Sequence, residues 1–228
     1  MLINILNGSG FSFANIIVGI LSSLAVIFLT MPIHEFAHAF AATKLGDPTP
    51  KYSGRLSFNP FNHIDYVGAL CIILFGFGWA RPVGVNSNYF KNPKRDMAIT
   101  ALAGPLSNLM VAFGAVFLRY LFLFICLKFN AGELLVYIAL FFEYIAIINI
   151  SLAVFNLIPV PPLDGSKMLA AILPDRLYWK FMQYERYLYF LVLALVFTGS
   201  LDRPISYVTS FFLNLFSNIA ALPFNILL

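Results

Sequence analysis

At 228 residues, with 61% hydrophobic, 17% aromatic and only 11% charged side chains, the chain carries less than half the charge of a soluble domain, about 25%, and reads as an integral membrane protein. The net charge of +4 does not mark a nucleic-acid binder, because the fourteen Lys and Arg gather in loops beside apolar spans, where they report topology. Cys71 and Cys126 lie in apolar surroundings without a CxxC pattern and read as two free thiols.

Met1 to Ile33 contains no Lys or Arg, so it lacks the basic start of a cleavable leader, and the first span is expected to stay. An apolar run from Ile16 to Met31 continues to Leu45, where Gly46-Asp47-Pro48 supplies stop signals. One helix over about 14–45 is expected, with a kink favoured by Pro32. Inside it stands His34-Glu35-Phe36-Ala37-His38. Residues four apart share a helix face, so both imidazoles can aim at one ion while Glu35 approaches its open side. Ionisable groups at membrane depth are costly and mark function. The pattern predicts a zinc ion held by two histidines and one further carboxylate, with Glu35 as the base.

Lys51 to Asn62 and Trp79 to Tyr89 mix alternating apolar residues with Gly and Pro and read as extended. Between them, Tyr66 to Gly78 is apolar but shorter than the roughly 20 residues of a crossing helix, and reads as re-entrant. Met97 to Lys128 and Glu133 to Ile158 are the next two spans. Tyr187 to Ser200 is a shorter fourth and Ile205 to Leu228 a fifth. If Tyr66 to Gly78 does not cross, eleven of the fourteen basic residues fall on one side, with only Arg119, Lys128 and Arg203 elsewhere. That excess assigns the side to the cytoplasm.

The same topology nominates a third ligand. Asn156-Leu157-Ile158-Pro159-Val160-Pro161-Pro162-Leu163-Asp164-Gly165 follows the third span, and Asp164 then lies on the side of His34 and His38. A crossing segment would strand it beyond a core of about 30 Å.

These residues resemble the site-2 protease family of intramembrane zinc metalloproteases, whose signature joins an HExxH on one membrane helix to an NxxPxPxLDG segment on a later one. The resemblance extends to Gly46-Asp47-Pro48, Gly54-Arg55-Leu56-Ser57-Phe58-Asn59-Pro60, Phe61-Asn62-His63-Ile64-Asp65, Arg81-Pro82-Val83 and Ala103-Gly104-Pro105-Leu106-Ser107-Asn108, and so covers about 30–170. It is similar to the compact bacterial branch without PDZ or CBS domains. It implies a multi-pass cell-membrane enzyme with its active helix pair facing the cytoplasm, cleaving transmembrane protein substrates in regulated intramembrane proteolysis.

The expectation is therefore an all-α polytopic membrane protein of about five transmembrane helices, with a short re-entrant or extended β-like segment between the first and second. It forms one membrane-embedded domain over 1–228, with a catalytic core at about 14–170 and C-terminal helices at about 184–228. One Zn2+ is held by His34, His38 and Asp164, and Glu35 is the catalytic base. Asn156 is a candidate oxyanion donor, since an amide donates without charge, although Asn also commonly ends a helix. His63 reads as a loop hydrogen-bonding residue, Asn108 as an interhelical one, and Glu143 has no evident partner. Lipid surrounds the chain, nucleic acid does not bind it, and the oligomeric state is open. The alternatives are a membrane zinc-binding or transport protein and a proteolytically inactive scaffold.

Overall fold

The computed structural model describes residues 13–75, 79–130 and 132–227, and every regular element among them is helical. α1 (Phe13–Ala25) passes through a π-helical turn (Val26–Thr30) into α2 (Met31–Lys44), together one apolar span of 32 residues. Pro32 offers no N–H to the carbonyl one turn back. The chain answers with a widened turn just before it, in which the Met31 N–H reaches back to the Val26 carbonyl. The expected disturbance is therefore present, taken up as a π-turn ahead of the proline.

Segment 51–62, expected as extended, contains helical pieces instead. α3 (Thr49–Tyr52) and a 3-10 turn (Pro60–Asn62) each carry a proline in the first turn, where its fixed φ favours helix and its missing N–H costs nothing. Asn59 caps the second, its side chain accepting the Phe61 N–H at 3.1 Å. Asp65 does the same for α4 (Tyr66–Phe75), accepting the Val67 and Gly68 N–H groups at 3.0 and 2.9 Å. α4 has ten residues, about 15 Å of rise, half of a hydrocarbon core. The Arg81 N–H donates to the His63 carbonyl at 2.8 Å, so the two flanks of this segment meet. Residues 76–78, the last three of the expected re-entrant segment, lie outside the described residues. Residues 79–86 carry no helix and, among the described residues, no β-ladder partner.

α5 (Pro93–Phe129) and α6 (Leu134–Asn156) form a hairpin turned at Asn130, whose φ of 47° is left-handed. Small residues on the facing sides, Ala112, Ala115 and Ala146, are buried and let the backbones approach. α7 (Asp164–Ile172) and α8 (Asp175–Met182) follow at one end of the bundle, then α9 (Glu185–Phe197) and α10 (Asp202–Leu227). Four described helices are long and apolar enough to cross a membrane: α1 with α2, α5, α6 and α10. α9, the shorter fourth span of the sequence reading, has 13 residues, about 20 Å, and falls short of a crossing by itself.

Glu143 has a partner after all: Arg119 Nε donates to its carboxylate at 3.2 Å across the α5–α6 hairpin. Both are about a quarter exposed. Each lies roughly 15 Å along its helix from the connecting turn, in a helix long and apolar enough to cross a membrane. Removing one partner leaves the other charge uncompensated in hydrocarbon. Glu143→Leu and Arg119→Leu are each expected to lower stability by roughly 3 kcal/mol, and the double variant to recover most of it. Thermal unfolding in detergent, read as a double-mutant cycle, checks this.

Candidate active site

The HExxH falls on α2 with His34, Glu35 and His38 all buried. Helical spacing stacks the two imidazoles, edge to face with centroids 4.6 Å apart. Asp164 is the first residue of α7 and reaches them across 126 residues of chain. Its approach depends on Gly165, where a Cβ would collide with the Leu157 and Ile158 carbonyls; only glycine lets α7 start against the turn that ends α6.

Three atoms converge. His34 Nε2 and His38 Nε2 are 3.0 Å apart, and Asp164 Oδ2 lies 3.3 and 3.1 Å from them. His38 Nδ1 is 2.7 Å from the Thr100 carbonyl. A carbonyl only accepts, so Nδ1 carries the proton and Nε2 presents a lone pair to the cluster. A divalent cation would satisfy all three atoms at once. Zinc bonds of about 2.0–2.1 Å at tetrahedral angles would set the ligands roughly 3.3–3.4 Å apart, within a few tenths of an ångström of what is found. The donor set, two imidazoles and a carboxylate, suits zinc. His34, His38 and Asp164 are thus positioned to bind a metal ion. Burial opposes charge on Asp164, but protonation of the adjoining His38 and His34 rings outweighs it and holds the carboxyl well below the usual range. Its other oxygen, Oδ1, lies 3.6 Å from Lys167 Nζ.

α5 forms the back of the site. Besides the Thr100 carbonyl it supplies Gly104, where a Cβ would run into the rings of both His38 and His34. Glu35 lies on the open side, its Oε2 accepting the Val83 N–H at 3.2 Å. The cluster opens into a cavity with largely apolar walls, which include Trp79, Val85, Leu152 and Phe155. Tyr189, Val192, Leu193 and Val196 form one face of α9 and close another wall, which gives a place to a C-terminal helix that the sequence left without one.

Asn156, the last residue of α6, lines the same cavity while its amide donates to the Leu152 carbonyl at 3.0 Å. Asn108 is buried and lines it too. His63 stands apart from the cluster; it is fully buried and its Nε2–H donates to the Ser57 carbonyl at 2.8 Å, a structural role with a partner different from its sequence neighbours. Sequence reasoning missed Thr100, Gly104, Lys167 and the amide of Val83. Lys167, one turn after Asp164, had a local signal, and Gly104 and Val83 stand in stretches that carry the family resemblance.

A membrane-integral helical bundle with this ligand set defines a class: a zinc metalloprotease. Residues 125–199 match the model of "Peptidase family M50". The chain is 38% identical over 180 residues to YwhC of Bacillus subtilis, covering 76% of this chain and 80% of that one. It is 34% identical over 167 residues to MJ0611 of Methanocaldococcus jannaschii, covering 70% and 75%. To Rip2 of Mycolicibacterium smegmatis it is 25% identical over 180 residues, covering 77% and 66%. All three relatives carry the provisional name zinc metalloprotease; no solved structure matches the chain. The chain belongs to peptidase family M50, the site-2 proteases. The match to residue 199 takes in α9, beyond the stretch that carried the sequence resemblance.

A methyl group at position 104 displaces both rings at once. Gly104→Ala is expected to weaken zinc binding at least about 10-fold with helix content unchanged, as read by competition with a chromogenic chelator and by circular dichroism.

Proposed function

We propose that the chain hydrolyses peptide bonds within transmembrane segments of other proteins, at a site towards the cytoplasmic side of the cell membrane. The observation that carries this reading is a buried cluster of His34, Glu35, His38 and Asp164 opening into an apolar cavity on a membrane-spanning helix. A water-soluble substrate would not need such walls. The excess of basic residues around α3, the 79–95 segment and α7 to α9 supports the cytoplasmic side. Residues 1–228 act as one protease domain, with the core at about 14–170 and the C-terminal helices at about 184–228, of which α9 completes the cavity.

In this reading His34, His38 and Asp164 hold the zinc and Glu35 is the base. A zinc ion bound there polarises the scissile carbonyl and acidifies water. A helical substrate shields each carbonyl with an internal hydrogen bond, so the segment must open locally before it fits. The apolar walls accept its side chains and keep bulk water from the opened backbone. Glu35 takes the proton of the attacking water and returns it to the leaving amine. The Asn156 amide, on the cavity wall, donates to the developing oxyanion.

The test compares zinc content and cleavage of a tagged single-span protein. Glu35→Gln is expected to keep about one zinc per chain and to lose about 10²- to 10⁴-fold in cleavage; equal cleavage by both proteins refutes the base. Asn156→Ala is expected to lower kcat about 10²- to 10³-fold with zinc retained.

A further inference from the structure

Residues 79–86 run along the cavity beside Glu35, and three of their backbone amides fasten them there. The Arg81 N–H donates to the His63 carbonyl at 2.8 Å, the Val83 N–H to Glu35 Oε2 at 3.2 Å, and the Asn86 N–H to Asp47 Oδ2 at 2.7 Å. The last bond spans 39 positions of chain and ends on a carboxylate with 0% exposure.

Burying a carboxylate is costly unless its oxygens are satisfied. Asp47 satisfies both on backbone amides: Oδ1 accepts the Thr49 N–H at 2.9 Å, closing its own turn, and Oδ2 accepts Asn86. A turn of this kind needs one acceptor, which Ser or Asn would supply. The second oxygen is committed to the strap. The neighbouring Gly46 supports the same contact, since its φ is +112° and a Cβ there would stand 3.2 Å from the Tyr89 carbonyl. Between Val83 and Asn86 lie only Gly84, with nothing near its Cβ position, and Val85. Fixing Asn86 therefore limits where the Val83 amide can be.

We propose that Asp47 is a positioning residue for Glu35. It anchors the strap so that the Val83 N–H meets the Glu35 carboxylate and holds its rotamer. With Oε2 committed to Val83, Oε1 is the oxygen left to take the proton. The catalytic half of this inference rests on Glu35 being the base; the structural half does not, and amide exchange reads it separately.

The experiment uses the full chain in lipid nanodiscs, with hydrogen exchange of residues 79–90 by mass spectrometry beside zinc content and steady-state cleavage of a tagged single-span protein. Asp47→Ala is expected to speed exchange at Val83 and Asn86 by at least about 10-fold and to lower kcat about 10- to 100-fold. Zinc stays at one per chain and KM within about twofold. Glu35→Ala is expected to free Val83 while Asn86 stays protected, because the anchor is intact. Should Asp47→Ala fail to fold, Asp47→Asn, which can accept from only one of the two amides, carries the same readouts with smaller changes. Unchanged protection of Val83 in the Asp47 variants, a raised KM with kcat intact, or loss of zinc together with kcat overturns the assignment. Full cleavage by Glu35→Gln overturns the base and with it the catalytic half, while exchange at Val83 still decides whether Asp47 holds the strap.

Discussion

Three potential ligand atoms on buried side chains, brought within 3.3 Å of one another, form the constraint on which the rest of the structure depends. Lone pairs of two imidazoles and a carboxylate repel unless something positive stands among them, and in a low-dielectric surround that repulsion is strong. The fold accepts this cost because cation binding reverses its sign. Each neighbouring element then has a definable duty. α2 supplies two ligands by helical spacing, α7 swings the third in over Gly165, and α5 fixes the tautomer of His38 through the Thr100 carbonyl.

α5 meets the cluster through backbone rather than side chain. Thr100 contributes its carbonyl and Gly104 contributes the absence of a Cβ, so the helix lies closer to the imidazoles than any larger residue would permit. The same economy recurs opposite, where Glu35 is met by the Val83 amide and Asp47 by those of Thr49 and Asn86. Backbone groups cannot rotate away as side chains do, and their positions are set by the packing of whole segments. The geometry around the ligands is thereby tied to the fold as a whole.

How much of this was legible in the sequence follows from the range of each interaction. His34 and His38 were legible because helical periodicity is local. Asp164 was legible through the charge distribution, which argued against a crossing of Tyr66 to Gly78 and so put both halves of the site on one side, and through the NxxPxPxLDG signature that carries it. The backbone contacts of Thr100, Val83 and Asn86 were not, since a carbonyl or amide leaves no mark in the residue type that bears it. The reading of 51–62 as extended weighed Gly and Pro as breakers and overlooked that Pro50 and Pro60 suit the first turn of a helix. Glu143 was left alone because its partner, Arg119, is brought alongside only by the close packing of two helices.

That ion pair bears on how the chain enters the bilayer. During synthesis α5 emerges first, and Arg119 by itself would cost a few kcal/mol at the centre of an inserting helix. Its counter-ion follows 24 positions later, on the far side of a turn of only a few residues. The two helices are thus better matched to lipid as a hairpin than singly, because each charge meets its partner only when they lie side by side about the left-handed Asn130 turn.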